Sequence, residues 1–366
     1  MGNNIARCTR CILPESFPGI TFDESGVCNK CRAYERRWSN FDSKKSEEYV
    51  GNIFEAARKK GDKYDCLIGI SGGKDSSYAV YLLTQKYKLN PLCVHFDNGF
   101  VPRRASENIR KVSEKFNVDC ISFQPDLELM KRLHRHFLLT AGEFCVPCSI
   151  GIISLQYRVA KEYQIPLIVS GFSPRTDAGI HNDIWHSSPE YFQNVAKGYF
   201  SKEEIRDFLH SKTLARTLHH LTGRIKYITL PLYVEWDEGE IISFLKRELD
   251  WGAGSAVTTE HTDCIASDLK EYLQIRKFGF SEKTLKFSVA VRNGSMTREE
   301  SLAKAESHEL GLCQDKSGLV HRVMQMLDLC EEDLAEAVTK RQKPYIPKFA
   351  KLVEKDNLLK KLYYKY

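Results

Sequence analysis

A glycine-rich turn between an apolar run and a helical segment constrains the fold of this chain more than any other feature. Residues 64–70 read YDCLIGI, an apolar run of strand length, and a helical pattern begins at Lys74. Unpaired backbone N–H groups and the positive end of the helix dipole gather at such a junction and favour an anion. We therefore predict a phosphate-binding loop at this point. Its residues are Ser71, Gly72, Gly73, Lys74, Asp75 and Ser76.

Strand-like and helical segments alternate on both sides of this loop. Apolar runs of strand length recur at 91–96, 119–123 and 166–170. Such alternation predicts an α/β fold, a doubly wound parallel sheet with helices on both faces and its ligand at the carboxyl ends of the strands. The helices expected in this half of the chain are 44–60, one after Lys74, 105–116, 127–140 and 149–163.

Three regions follow from these patterns. We predict a zinc knuckle over residues 1–40, an α/β nucleotide domain over 60–235 and a mainly helical C-terminal extension over 236–366. Beyond about residue 187 the apolar spacing is mostly helical. The helices predicted there are 203–211, 238–248, 267–276, 297–307, 319–327 and 331–339.

Four cysteines near the N-terminus have the spacing of a zinc site. They form two CxxC pairs separated by sixteen residues, on a stretch with too little apolar content to fold alone. Two short loops of this kind present four thiolates to a tetrahedral ion, and the metal supplies folding energy. The predicted zinc ligands are Cys8, Cys11, Cys28 and Cys31.

A third CxxC pair, Cys145 and Cys148, is less specific. It is consistent with metal binding, dithiol chemistry or simple packing at the start of a helix. Cys264, in the segment HTDC, supplies a third thiol. Together these three cysteines form a candidate site for a second metal or a cluster with one open coordination position.

Two further strand ends are candidates for the nucleotide. Phe96 is the last residue of the run at 91–96, and Asp97 follows it. Gly171 follows the run at 166–170. Carboxyl ends of parallel strands meet at one edge of a sheet, so we predict that these residues contact ATP. Lys74 and Asp75 are the predicted catalytic residues, with Asp75 holding Mg²⁺ while the cation neutralises departing pyrophosphate.

Charge and hydropathy narrow the class of protein. The formal charge of +6 suits phosphate-bearing ligands without requiring a nucleic-acid groove. No apolar run approaches the roughly 18 residues of a membrane helix, and the N-terminus lacks a signal-peptide core. We therefore expect a cytoplasmic protein that makes no membrane contact.

The hexamer SGGKDS resembles the signature of the PP-loop ATP pyrophosphatases, which have the fold of the adenine nucleotide alpha hydrolases. This resemblance implies cleavage of ATP between the α and β phosphates, with the loop holding pyrophosphate.

Six longer segments of the chain carry a second resemblance. They are CTRCILPESFPGITFDESGVCNKCRAYERRW, YDCLIGISGGKDSSYAVYLL, NPLCVHFDNGF, IPLIVSGFS, KFGF and NGSMTREESL. These segments resemble the N-acetyl sugar amidotransferases of surface-polysaccharide and nonulosonic-acid biosynthesis. The resemblance implies that ATP activates an acetamido group of a sugar nucleotide or sugar acid, and that ammonia from a separate glutaminase subunit converts it to an acetamidino group.

The sequence is also consistent with two other functions. Residues 172–179 read FSPRTDAG where the amidotransferases have an acidic, amide-rich segment. With Cys264 as a third cysteine, the chain is also similar to PP-loop sulfurtransferases that thiolate tRNA or a small molecule with a [4Fe-4S] cluster. A nucleic-acid-binding module with a relic loop is the third hypothesis, based on the basic segment 32–45 and the basic tail 360–366.

Overall fold

A parallel sheet of five strands organises the computed structural model. The model describes residues 6–172, 175, 188–210, 222, 224–251, 263–315 and 317–340. The strands are β1 (Cys66–Gly69), β2 (Pro91–Phe96), β3 (Cys120–Phe123), β4 (Leu167–Ser170) and β5 (Lys226–Thr229). Their order in the sheet is β3-β2-β1-β4-β5, and every pairing is parallel.

The sheet order reverses beside β1. From β1 the chain builds outward to β2 and β3, and it then returns to place β4 on the other side of β1, with Leu67 opposite both Leu92 and Ile168. The helices that connect β1 to β2 and β2 to β3 lie on one face of the sheet, and those that connect β3 to β4 lie on the other. A crevice therefore opens at the carboxyl ends of β1 and β4. The glycine-rich loop leaves β1 at this switch point.

Helices cover both faces of the sheet, as the doubly wound prediction requires. One apolar cluster joins the sheet to α2 (Ser43–Lys60), α3 (Lys74–Tyr81), α4 (Arg103–Phe116) and α8 (Glu238–Leu249). The other joins it to α5 (Leu127–Ala141), α6 (Val146–Glu162) and α7 (Pro189–Ala196). The predicted fold class is confirmed.

Six helices form the described part of the C-terminal extension. They are α8, which packs on the sheet, and α9 (Ser267–Phe278), α10 (Glu282–Asn293), α11 (Arg298–Cys313), α12 (Leu319–Met326) and α13 (Glu331–Thr339). Leu269 and Leu273 of α9 pack with Phe144, at the end of α5, in one apolar cluster. The N-terminal cysteine module, with α1 (Asn29–Trp38), packs against α10 through Phe17 and Phe280. The extension is therefore attached to both other regions.

The predicted helix at 203–211 is wrong within the described residues. The structure has only a single 3₁₀ turn there, Arg206–Phe208. Its two buried apolar residues, Ile205 and Phe208, are three positions apart, and one such turn is enough to bury both.

Four elements were not expected from the sequence. Strand β5 has only four residues, and α1 lies among the cysteines and buries only Cys31. Helix α7 has only eight residues, and its buried residues, Pro189, Tyr191, Phe192 and Ala196, give too short a pattern for a helical period to be recognised. Helix α10 buries Thr284 and Ser288 as well as Leu285 and Phe287, so polar residues mask its apolar periodicity.

The domain limits at residues 40, 60 and 235 remain predictions, and packing crosses two of them. Phe54 of α2 and Leu245 of α8 belong to the same apolar cluster as the strand residue Ile68. The tail 360–366 and most of the segment 172–179 lie outside the described residues. Among the helices that the structure describes, none combines the length and the apolar composition needed to cross a bilayer.

Candidate nucleotide site and metal centre

Gly72 sets the shape of the phosphate loop. Its φ of +79° lies in the left-handed region, and a Cβ at this position would come within 2.2 Å of the carbonyl oxygen of Ala105. The Gly72 carbonyl accepts hydrogen bonds from Asn108 Nδ2 at 3.0 Å and from Trp251 Nε1 at 3.2 Å. The loop therefore needs glycine here and is fixed from outside by two side chains.

Hydroxyl groups fix the other side of the loop. Ser71 N donates to Ser76 Oγ at 3.2 Å, and Ser77 Oγ donates to the Gly73 carbonyl at 2.8 Å. Gly73 is the N-cap of α3 and has no side chain with which to cap the helix. The first turn of α3 thus keeps the anion-attracting character of a helix N-terminus.

Lys74 and Asp75 are held next to each other at the start of α3. Lys74 Nζ lies 2.6 Å from Asp75 Oδ2 and 3.6 Å from Glu238 Oε1. Trp236 Nε1 donates to the other Asp75 oxygen at 3.1 Å. Lys286 of α10 also binds Glu238 Oε1, at 2.8 Å. Glu238 therefore bridges the loop lysine and a lysine of the C-terminal extension.

A cavity of about 300 Å³, here called the loop cavity, opens at this end of the sheet. Residues of α10 close it, among them Lys283, whose side chain is buried. The C-terminal extension thus contributes two lysines, Lys283 and Lys286, to the lining of this cavity. The lining residues are Gly69, Ser71, Gly73, Lys74, Asp75, Ser76, Gln156, Val169, Ser170, Gly171, Phe172, Asp263, Glu282, Lys283 and Lys286.

A second cavity of about 220 Å³, the strand-end cavity, lies over the ends of β1 and β2. It shares Gly69, Ser71, Gln156 and Asp263 with the loop cavity, so the two adjoin. Its other lining is mostly apolar, which suits a base and a ribose better than phosphate. The remaining lining residues are Ile70, Val94, His95, Phe96, Asn98, Val101, Ile152, Leu155 and Cys264.

The strand-end residues predicted to contact ATP differ in their placement. Phe96 lines the strand-end cavity, and Gly171 lines the loop cavity. A Cβ on Gly171 would meet the Asp75 carbonyl at 2.8 Å, so glycine lets the end of β4 approach α3. Asp97 lines neither cavity, and its carboxylate accepts hydrogen bonds from Gly99 N and Gln124 Nε2.

Cys148 and Cys264 both lie close to the side chain of Asn98, which lines the strand-end cavity. Asn98 Nδ2 lies 3.2 Å from Cys148 Sγ and 4.0 Å from Cys264 Sγ. Cys148 also contacts the buried His134, with 3.3 Å between Sγ and Nε2. Cys145 and Cys264 pack against the same apolar cluster.

Burial keeps these thiols protonated. It raises the pKa of Cys145 to about 11 and that of Cys264 to about 12, and it also raises the pKa of Cys148. A free thiol with a raised pKa is a weak nucleophile at neutral pH, and a metal ion or cluster would have to deprotonate these thiols to bind them. Among the described residues, the three sulfurs do not all lie within 4.8 Å of one another, as the ligands of a single ion would.

The N-terminal cysteines form a compact four-sulfur centre. Sγ atoms of Cys8 and Cys31 lie 3.9 Å apart, and those of Cys11 and Cys28 lie 3.8 Å apart. Four thiolates on a tetrahedral zinc ion, with Zn–S bonds of about 2.3 Å, would stand about 3.8 Å apart. Hydrogen bonds with Cys28 and Cys31 lower the pKa of Cys11 to about 6.

Three or more His, Cys, Asp or Glu side chains can hold a metal ion together when their ligand atoms all lie within 4.8 Å of one another. Among the described residues, the four N-terminal cysteines form such a group. Backbone N–H groups of Cys11 and Cys28 donate to Cys8 Sγ, and that of Cys31 donates to Cys28 Sγ. Such bonds stabilise thiolates. The centre is therefore suited to a metal ion.

Sequence reasoning missed several residues of the loop cavity. Gln156 lies in the interior of α6, and Asp263 comes directly before Cys264 in the HTDC segment. Lys283 and Lys286 follow the KFGF segment and carry no motif of their own. Proximity to Cys264 could have indicated Asp263, whereas the lysines reach the cavity only through tertiary packing.

The fold and the loop together define the class of protein. A parallel sheet of order 3-2-1-4-5, with SGGKDS between its central strand and the next helix, makes this a doubly wound α/β protein with a glycine-rich loop at the switch point of its sheet. Residues 244–359 match the family model described as LPS biosynthesis protein WbpG-like, C-terminal domain.

Comparison with individual proteins adds weaker similarities. An uncharacterized protein of Methanocaldococcus jannaschii, MJ1599, is 31% identical over 166 residues, or 45% of this chain. The match spans 58% of that relative's length.

Two solved structures also show similarity. The U34-tRNA thiolase NcsA from Methanococcus maripaludis with its [4Fe-4S] cluster is 18% identical, with 89% of each chain covered and a TM-score of 0.35. The NH3-dependent NAD synthetase from Campylobacter jejuni is 15% identical, with 60% of this chain and 100% of that one covered and a TM-score of 0.30. The fold assignment rests on the strand order, not on these scores.

Proposed function

We propose that this protein is an ATP-using enzyme, specifically an amidotransferase that converts the acetamido group of an N-acetyl sugar to an acetamidino group. One observation carries the proposal. The region that matches the WbpG-like family places Glu282, Lys283 and Lys286 in the cavity of the phosphate loop. A region that matches a domain described for LPS biosynthesis would thus complete the proposed phosphate site.

The reaction would proceed in two steps, adenylylation of the acetamido oxygen and displacement of AMP by ammonia. The acetamido oxygen attacks the α-phosphorus of ATP, the α–β P–O bond breaks, and pyrophosphate leaves. Ammonia then attacks the activated carbon, AMP leaves with the former acetamido oxygen, and the nitrogen gives up a proton. The products are the amidine, AMP and pyrophosphate. Adenylylation is needed because an amide oxygen is a poor leaving group.

Charge on pyrophosphate is the main demand that this reaction makes on the protein. In the loop cavity, backbone N–H groups of the loop and the first turn of α3 would hold the phosphates, with Ser76 as a hydroxyl donor. Lys74, Lys283 and Lys286 would offset the negative charge. Bound Mg²⁺ would supply further charge neutralisation, and Asp75 and Asp263 are the carboxylates that fit it.

The strand-end cavity would take the nucleoside. Phe96 is among the mostly apolar residues that line it, and the shared wall at Gln156 and Asp263 would join this cavity to the phosphates. The acceptor would be a sugar nucleotide or sugar acid, with ammonia supplied by a separate glutaminase subunit. The four-cysteine centre would hold zinc in a structural role, since four thiolates leave a tetrahedral ion no open position.

The test is an assay of AMP and pyrophosphate formation with an N-acetyl sugar nucleotide or sugar acid and ammonium. We expect turnover only when ATP, acceptor and ammonium are all present. Ser76→Ala should lower kcat/KM roughly 10- to 100-fold, because a hydrogen bond to a charged group is lost. Ser106→Ala, at an exposed position of α4, is the matched control. Turnover without acceptor or ammonium would contradict the proposal.

A second candidate function is sulfur transfer to tRNA or a small molecule. It is favoured by the approach of Cys148 and Cys264 to Asn98 beside the strand-end cavity, with Cys145 nearby. A [4Fe-4S] cluster on these cysteines would leave one iron open for sulfide. Sulfide, rather than ammonia, would then displace AMP from the adenylylated carbon. Iron and acid-labile sulfide in anaerobically purified protein would support this candidate.

A further inference from the structure

Helix α10 has the loop cavity at one end and the four-cysteine centre at the other. Lys283 and Lys286, in its first turns, line the loop cavity. Arg292, in its last turn, donates from Nε to Cys31 Sγ and from Nη2 to Cys11 Sγ, both at 3.4 Å. Nine residues of α-helix, about 13 Å, separate Lys283 from Arg292. One rigid element therefore contacts both sites.

Side-chain packing joins α10 to the cysteine module between these two ends. Leu285, nearly inaccessible at 2% exposure, shares an apolar cluster with Leu13 and Phe17 of the module. The ring of Phe17 stacks on that of Phe280, directly before α10, with 5.8 Å between centroids. A shift of the module relative to α10 would thus move the segment that carries the two lysines.

The position of the Arg292 side chain would depend on the negative charge of a metal-loaded centre. Four thiolates around a divalent ion carry a net charge of −2, and the guanidinium lies against two of the four sulfurs. Groups that hydrogen-bond to metal ligands typically change metal affinity 10- to 100-fold. Loss of the ion removes the anionic partner of a partly buried guanidinium, so the last turn of α10 loses its fixed position.

We propose that Arg292 is a positioning residue that couples the metal centre to the loop cavity. Metal binding would raise the affinity of the cavity for magnesium pyrophosphate, the product that both candidate reactions release. The inference rests on the proposed use of ATP but not on the choice between ammonia and sulfide. Coupling between binding free energies is reciprocal, so pyrophosphate should raise the metal affinity of the centre by the same factor, and slower metal release is the kinetic sign that we expect of this gain.

The experiment measures both sides of this coupling on the full-length zinc-loaded protein. Calorimetry gives the affinity for magnesium pyrophosphate, and a chromogenic chelator gives the rate of zinc release with and without pyrophosphate. We expect Arg292→Met to weaken pyrophosphate binding about tenfold and Arg292→Lys to restore much of it. In the wild type, pyrophosphate should slow zinc release several-fold, and this effect should be lost in Arg292→Met.

Arg298→Met is the matched control. Arg298, on α11, also contacts the cysteine module, but it donates to the backbone carbonyls of Cys8 and Cys11 rather than to sulfur. Pyrophosphate affinity should stay within twofold in this variant. If pyrophosphate does not change zinc release from the wild type, or if folded Arg292→Met and Arg292→Lys both bind it normally, the coupling is overturned. Failure of the wild type to bind pyrophosphate at all would contradict the proposed function as well.

Discussion

The carboxylate of Asp263 lies against Gly73 of the phosphate loop, where a Cβ built on Gly73 would stand 3.1 Å from Asp263 Oδ2. Asp263 also lines both cavities, and Asp75 lines the loop cavity beside it. A carboxylate repels pyrophosphate unless a cation lies between them. Mg²⁺ is typically held by one or two carboxylates together with substrate phosphates, so Asp263 is well placed to be such a ligand.

We predict that Asp263→Asn raises the Mg²⁺ concentration needed for half-maximal AMP formation about tenfold and lowers kcat. The amide keeps the shape of the side chain but loses the charge that attracts the cation. Metal-free ATP should bind the variant at least as well, because a repulsive carboxylate is gone. Mg²⁺ titrations of turnover and of nucleotide binding check both effects.

Asp250→Asn is the matched control for this prediction. Asp250 has a left-handed backbone that asparagine also adopts, and its side chain is 76% exposed. Its substitution should leave the Mg²⁺ dependence unchanged. An unaltered Mg²⁺ requirement in Asp263→Asn would exclude Asp263 as a ligand.

Gly72→Ala should disrupt the phosphate loop. The new Cβ would strain a backbone with φ of +79° and collide with the Ala105 carbonyl. We expect the free energy of unfolding to fall by about 1–3 kcal/mol and pyrophosphate binding to be lost. Urea unfolding and calorimetry measure the two effects.

Gly51→Ala is the matched control, and it should stabilise the protein instead of destabilising it. Gly51 lies within α2, and its added Cβ would have no neighbour within 4 Å. Alanine should raise the free energy of unfolding by about 0.5–1 kcal/mol, because helical glycine costs more backbone entropy. A Gly72→Ala protein as stable and as active as Gly51→Ala would contradict the role of Gly72.

The central fold was predictable because each signal was local. Strand β2 begins at Pro91 and ends at Phe96, as its apolar run predicts, and the loop at 71–76 follows directly from β1. Four cysteines in two CxxC pairs likewise need only short loops to meet. These features depend on neighbouring residues and therefore leave a pattern in the sequence.

The rest of the candidate site depends on contacts between distant residues. Lys283 lines the loop cavity on a helix whose Leu285 packs, together with Phe280, on the cysteine module more than 250 positions earlier in the chain. Asp97, predicted to contact ATP, lines neither cavity, and its carboxylate accepts a hydrogen bond from Gln124, directly after β3. Neighbouring residues in the sequence do not indicate where these two side chains lie, because their placement depends on packing between distant parts of the chain.

Removal of the N-terminal metal should destabilise the whole protein rather than the cysteine module alone. Leu13 and Phe17 pack with Leu285 of α10, so unfolding of the module would expose the C-terminal extension. We expect Cys11→Ser to abolish stoichiometric zinc and to lower the free energy of unfolding by at least about 3 kcal/mol. Elemental analysis and thermal unfolding are the measurements.

Cys313→Ser is the control for this prediction, because Cys313 is exposed on α11. It should keep one zinc per chain and the wild-type unfolding temperature. Full zinc content in Cys11→Ser would contradict the four-sulfur site. An unchanged unfolding temperature in a zinc-free Cys11→Ser protein would contradict the structural role.

Cys264→Ser separates the two candidate functions. Serine is nearly isosteric with cysteine but is a poor ligand for iron, so a [4Fe-4S] cluster would be lost while the shape of the strand-end cavity is kept. As the amidotransferase proposal requires, we expect ammonia-dependent AMP formation to stay within about twofold of the wild type. Cys330→Ser, at an exposed position, is the matched control. If anaerobically purified wild-type protein carries about four irons and Cys264→Ser loses both iron and turnover, sulfide rather than ammonia is the nucleophile.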